Sequence, residues 1–119
     1  MTLSEAEKRF TLPRSTLEEY ITFGFIRKVA GQAEEIEPEY RDEDFERLGL
    51  VDTLLEAGFT PKETERFLNL TETAGTGEEQ IRMLRRQRRN LLDDIHKMQK
   101  ILDGLDYQIW EIQKEEGGK

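Results

Sequence analysis

Ile81, Leu84, Leu91, Ile95, Met98, Leu102, Leu105, Ile109 and Ile112 are the feature that most limits what this chain can become. With Arg88 counted, their spacing alternates between three and four without a break from 81 to 112. That is the a/d seam of a coiled coil, sustained for more than four heptads. A helix over residues 78–115 rises by about 1.5 Å per residue and outruns any small domain. A single apolar stripe of that length must be buried against a partner, most simply a second copy of the chain. The seam therefore predicts a dimerisation arm, and Arg88, the one charged seam residue, is suited to fixing its register.

What precedes the arm is short. The 119 residues allow one small domain plus the extension, and charged residues (37%) outnumber hydrophobic ones (35%), so the core is small. There are no cysteines and one histidine, His96, which argues against disulfide, thiolate-metal and triad chemistry. Asp93 and Asp94 beside His96 read as solvated charge rather than as a metal site. No nucleophile–base pair or phosphate loop is present, so neither an enzyme nor a cofactor is expected. No signal peptide and no membrane-length apolar run is visible, and the chain is expected to be cytoplasmic. Residues 1–77 carry nine Lys/Arg against seventeen Asp/Glu, whereas residues 78–119 carry nine of each. The globular part is acidic, which opposes phosphate neutralisation.

Local signals divide the first 77 residues. Ser4-x-x-Glu7 predicts a capping box for a first helix ending near Arg9. Thr11-Leu12-Pro13 predicts a tight turn, with Pro13 at the first position of a second helix. That helix has Leu17, Tyr20 and Ile21 on its buried face, and Gly24 is its left-handed stop. Two short helices joined by such a turn make a helix-turn-helix. Phe25 to Val29 is β-like, and the polar stretch from Ala30 to Pro38, with Glu34, Glu35 and Glu37, suits a two-stranded wing or a loop. Asp42 is expected to cap a third helix with Phe45, Leu48, Val51 or Asp52, and Leu55 inward. Gly58 stops it. Thr60-Pro61-x-Glu63 opens a fourth helix carrying Phe67, Leu68 and Leu70. The domain limits follow: 1–72 for the helix-turn-helix domain, 73–77 for a linker, and 78–119 for the arm, opened by a Thr76-x-x-Glu79 box.

The order helix-turn-helix, wing, helix pair, linker and long helix resembles the MerR family of bacterial transcription regulators. The resemblance rests on Leu3-Ser4-Glu5-Ala6, on Pro13-Arg14-Ser15-Thr16-Leu17 with Tyr20, Gly24, Phe25 and Ile26, and on Tyr40, Asp44, Phe45 and Leu48. Leu54-Leu55-Glu56-Ala57-Gly58-Phe59-Thr60 and Leu105-Asp106-Tyr107-Gln108-Ile109 complete it. It implies a mainly α fold, a winged helix-turn-helix followed by an antiparallel coiled-coil homodimer; members of the family often carry a C-terminal effector domain, and none is expected here. It also implies binding to a palindromic promoter in double-stranded DNA, with RNA polymerase as a further partner there.

Arg14, Ser15 and Thr16, in the first turn of the reading helix, are candidate DNA contacts, as are Tyr20 on the same helix and Arg27, Lys28, Tyr40 and Arg41 around the wing. Two stretches depart from the family. Glu18 and Glu19 stand where an arginine and an aromatic are usual, and Ile36-Glu37-Pro38 stands where a glycine–tyrosine–arginine stretch is. These departures define the alternative function, a MerR-like adaptor that binds protein and has lost DNA. The cluster Arg82, Arg85, Arg86, Arg88 and Arg89 reads as a solvated face pairing with acidic residues of the other subunit, and Tyr107 and Trp110 as packing on that subunit.

Overall fold

A computed structural model describes residues 1–32 and 37–117. Six helices account for most of them: α1 Leu3–Phe10, α2 Arg14–Thr22, α3 Asp42–Glu46, α4 Leu48–Glu56, α5 Pro61–Thr71 and α6 Gly77–Gly117. Among the described residues there is no regular strand, only an isolated antiparallel bridge between Lys28 and Tyr40. The chain divides into two compact units, Met1–Met83 and Leu84–Lys119.

In the first unit, helix starts follow local chemistry with two shifts from expectation. α1 is capped by Thr2: its hydroxyl accepts from the Glu5 N–H at 3.2 Å, and the Glu5 carboxylate accepts from the Thr2 N–H at 3.2 Å. The expected Ser4–Glu7 box has the right spacing, but it falls two residues late and lies inside the helix. Pro13 is the N-cap of α2 rather than its first helical residue, because its ψ of 145° is extended. Thr11 makes the turn by entering the left-handed region at φ 53°. Gly24, at φ 83°, stops α2 as expected, and the Glu65 carboxylate sits where a side chain on Gly24 would go.

The third expected helix is two. Arg47, at φ −90° and ψ 0°, separates α3 from α4. Asp42 does not cap α3; Arg41 holds that position with no side-chain bond, and Asp42 instead accepts from the Met1 ammonium at 3.1 Å. The break rotates the inward face, so Leu54 is buried where Leu55 was expected, and Leu55 is half-buried. At α5 the expectation holds in detail: Thr60 and Glu63 form the capping box, with Pro61 at the first position. Phe67 and Leu68 are buried, and Leu70 only partly.

Three apolar clusters join these helices. Leu3, Ala6, Leu17, Ile26, Tyr40, Phe45 and Leu48 bind α1, α2 and the wing to α3 and α4. Phe25, Val51 and Leu68 form the second. Leu54, Phe59 and Phe67 form the third, where Met83 also packs and Phe59 meets Phe67 edge-on at 6.1 Å.

α6 is 41 residues long and buries none of them. The nine seam residues keep between 39% and 69% of their surface exposed. The Thr76 hydroxyl donates back to the carbonyls of Leu70 (2.6 Å) and Thr73 (2.9 Å), and so serves the preceding turn rather than the expected box with Glu79. In the second unit, Tyr107 and Trp110 lie 6.0 Å apart, and the Lys114 ammonium lies 5.0 Å over the Trp110 ring. Among the described residues no helix is long and apolar enough to cross a membrane.

Candidate nucleic-acid interface

The interface suggested by the sequence is built from α2 and the hairpin that follows it. α2 presents its face because Leu17 is wholly buried on α1 and α3–α4, which turns Ser15, Glu18 and Glu19 outward. The hairpin is held at its base by three backbone bonds. Val29 N–H donates to Glu39 C=O (3.0 Å), Arg41 N–H to Arg27 C=O (2.9 Å), and Tyr40 N–H to Met1 C=O (2.8 Å). Beyond Gly31 the Gln32 amide clasps the Glu39 backbone, accepting at 2.9 Å and donating at 3.0 Å. Glu34, Glu35 and Ile36 lie outside the described residues, whereas Glu37 is described.

The candidate residues separate into two groups. Ser15 and Lys28 are exposed, Thr16 and Arg41 are half-buried, and Arg41 pairs with Glu43 at 3.5 Å. Arg14 is exposed but engaged. Its guanidinium donates to the Ser4 hydroxyl (3.0 Å) and the Glu7 carboxylate (3.2 Å), and Glu37 lies at 3.8 Å. The hydrogen bond that Arg14 donates to Glu7 above all, with Glu37 and Glu18 adding attraction, holds Arg14 more firmly protonated than usual.

The other group is structural. Tyr40 is buried at the root of the wing. The Tyr20 hydroxyl donates to Asp52 at 3.1 Å, and its ionisation is pushed up to about 12, first by burial and then by that bond. Arg27 is committed to a network that the sequence reading did not reveal. Its Nε and Nη2 donate to the two oxygens of Asp44 at 3.1 and 2.9 Å, and its backbone N–H reaches Asp44 at 2.9 Å. The same fork grips Glu72, at the end of α5, with one bond at 3.1 Å and a second, shorter one. Arg47 donates to Asp44 at 2.8 Å and approaches Glu72 at 3.4 Å. Two cations and two anions thus fasten the wing to α3 and α5. Burial alone would raise the Asp44 carboxyl, but the bonds from Arg27 and the charge of Arg47 outweigh it and hold the group below the usual range. Glu72 is likewise lowered, chiefly by Arg27. Asp44, Arg47 and Glu72 are ordinary surface residue types, separated by up to 28 positions. Only a helical phase putting Asp44 beside Phe45 on the inward side could have singled one of them out.

The geometry is that of a helix-turn-helix with a short wing, and comparison with known proteins agrees. Residues 1–71 match the family model described as MerR HTH family regulatory protein. No curated protein sequence matches the chain. Among solved structures, the chain is similar to HiNmlR, a MerR family regulator lacking the sensor domain, bound to promoter DNA. The two share 27% identity over 96% of this chain and 92% of that one, with a TM-score of 0.63. A MerR family transcriptional regulator from Listeria monocytogenes shares 25% identity over 92% of this chain and 83% of that one, with a TM-score of 0.65. A MerR family regulator from Bacillus thuringiensis shares the fold, at 17% identity, 93% and 97% coverage and a TM-score of 0.61. With its matched helix-turn-helix domain and its long C-terminal helix, the chain belongs to the MerR family of helix-turn-helix regulatory proteins.

Proposed function

We propose that the protein is a dimeric transcription regulator that binds a palindromic promoter in the cytoplasm, with RNA polymerase as its further partner there. The observation that carries this reading is the likeness, across nearly the full length of both chains, to a regulator that lacks a sensor domain and is bound to promoter DNA. Arg14, Ser15 and Thr16 are the reading residues, at the start of α2, where side chains reach base edges in a major groove. Lys28 and Arg41 flank the wing and neutralise backbone phosphates. Arg27 and Tyr40 shape the wing from within, and Tyr20 braces α2 against α4 through Asp52.

Dimerisation runs through Ile81, Leu84, Leu91, Ile95, Met98, Leu102, Leu105, Ile109 and Ile112, from residue 78 onward. An exposed apolar stripe of this length marks an interaction surface. Burying each aliphatic stabilises by about 1.5–3 kcal/mol. Charge supports an antiparallel pair. Residues 82–100 carry seven Lys/Arg against two Asp/Glu, and residues 101–117 one against five. Antiparallel pairing lays the basic half of one arm along the acidic half of the other; parallel pairing sets like charge on like. Arg82, Arg85, Arg86, Arg88 and Arg89 then have opposite charge to face.

The test is binding to the DNA upstream of the protein's own gene, against a scrambled duplex, at about 50 and 200 mM salt. The expected result is a specific complex that weakens steeply with salt, because each phosphate neutralised contributes about 0.9 to the slope. Absence of binding to any duplex at the lower salt removes this reading and points to a protein-binding adaptor with an acidic docking face.

A further inference from the structure

Glu37 reaches from the wing to the head of the helix-turn-helix. Its carboxylate accepts from the Ser4 hydroxyl and, at 3.2 Å, from the Ser4 N–H, and it lies 3.8 Å from the Arg14 guanidinium. Arg14 also donates to the same Ser4 hydroxyl and to Glu7. The one cation in the first turn of the reading helix is thus held within a ring of anionic and hydroxyl oxygens. Glu7 belongs to α1; Glu37 alone comes from the wing. We propose that Glu37 is an autoinhibitory contact: in the free protein its carboxylate, anchored on the Ser4 donors, pairs at 3.8 Å with the charge of Arg14, and DNA binding, which draws that guanidinium to a base edge, gives the pairing up.

The inference rests on the reading that α2 and the wing bind DNA, and it deepens that reading by naming a residue that sets the affinity. An arginine fork donates in the same bidentate way to carboxylate oxygens and to the O6 and N7 of guanine. Side-chain exposure is 43% for Arg14 and 42% for Glu37, so their pairing is screened by water and cheap to exchange. The exchange also has an ionic signature. A displaced Glu37 gathers a cation from solution, which subtracts from the counterions released by the DNA. Part of the acidity of this domain is then masking charge that acts on the free state.

The experiment is a double-mutant cycle read by fluorescence anisotropy on the upstream duplex and on a scrambled one, with wild type, Glu37→Gln, Arg14→Ala and the double variant at two salt concentrations. Glu37→Gln is expected to bind about two- to five-fold tighter at low salt, the size of effect seen for exposed pairs. Its log affinity–log salt slope should be steeper by up to about one. In the Arg14→Ala background the gain should largely vanish. An equal gain in both backgrounds means that Glu37 acts only through net charge, and it overturns the proposal. So does unchanged or weakened binding by Glu37→Gln while the wild type binds, an outcome that leaves the DNA-binding reading standing. No binding by any of the four proteins at low salt removes both. Without DNA, Glu37→Gln should shift the Ser4 amide and Arg14 guanidinium resonances; if neither moves, the contact does not form in solution and the proposal falls.

Discussion

Single residues show how a small acidic domain can still be well ordered. Asp44 is wholly buried, and it is stable there because three groups of Arg27 and one of Arg47 satisfy it. Removing one partner of a buried ion pair leaves the other charge uncompensated. Asp44→Ala should therefore cost about 3 kcal/mol in urea unfolding. Both Asp44 and Glu72 ionise more readily folded than unfolded. Their contribution is thus complete above the ordinary carboxylate range and is lost as pH falls through the lower folded values. Unfolding free energies measured from pH 7 down to pH 2.5 should drop below about pH 4, and Asp44→Asn should flatten that drop. Glu18 illustrates the opposite case, an exposed charge on the outward face of α2. If α2 docks on DNA, Glu18→Arg replaces a repulsion by an attraction. Affinity should rise about equally for specific and scrambled duplexes, with a salt slope steeper by about one to two. Arg14→Ala should instead relax sequence preference, a loss visible as a narrowed ratio between the two duplexes.

At the scale of elements, the agreement between local signal and structure depends on how many groups cooperate. Thr60, Pro61 and Glu63 act within one turn, and α5 begins where they indicate. The Thr60 hydroxyl satisfies the Glu63 N–H at 3.1 Å, and the Thr60 carbonyl accepts from the buried Thr64 hydroxyl at 2.9 Å. Thr60→Ala should lower stability by about 1 kcal/mol, the usual worth of an N-cap, in the same urea assay. The start of α1 was displaced because two boxes compete there. Thr2–Glu5 and Ser4–Glu7 have the same spacing, and the first prevails while Ser4 bonds Glu37 and Arg14 instead. The division between α3 and α4 has no local cue at all. Arg47 is a good helix former, and its turn belongs to a residue whose side chain bridges Asp44 and Glu72.

For the whole molecule the decisive quantity is what covers α6. No residue of this helix is buried, although its seam is the most regular pattern in the sequence. A chain of this kind should sediment as a dimer at micromolar concentration, and its melting temperature should rise with concentration, since association and folding are linked. Ile95→Asp, at the middle of the seam, should dissociate the arm and lower its helicity in circular dichroism. A monomeric mass for the wild type would remove the dimer from the proposal. The first compact unit should keep its own helical signal in that variant, because its three apolar clusters draw on residues up to Met83 only.

The sequence alone determined what depends on near neighbours along the chain: the cap at Thr60, the stop at Gly24 and the apolar periodicity from Ile81 to Ile112. These are set by backbone sterics, by hydrogen bonds within a turn and by periodicity, all of which act over a few residues. The tertiary structure decided which charged residues are free. Arg27 and Lys28 are adjacent and carry the same charge, yet one is spent on Asp44 and Glu72, and the other is open to solvent. It also brought Glu37 to Ser4 and Arg14, across 33 and 23 positions of chain. Coulomb attraction and hydrogen bonding act through space, so their outcome is fixed only once packing has set which side chains meet.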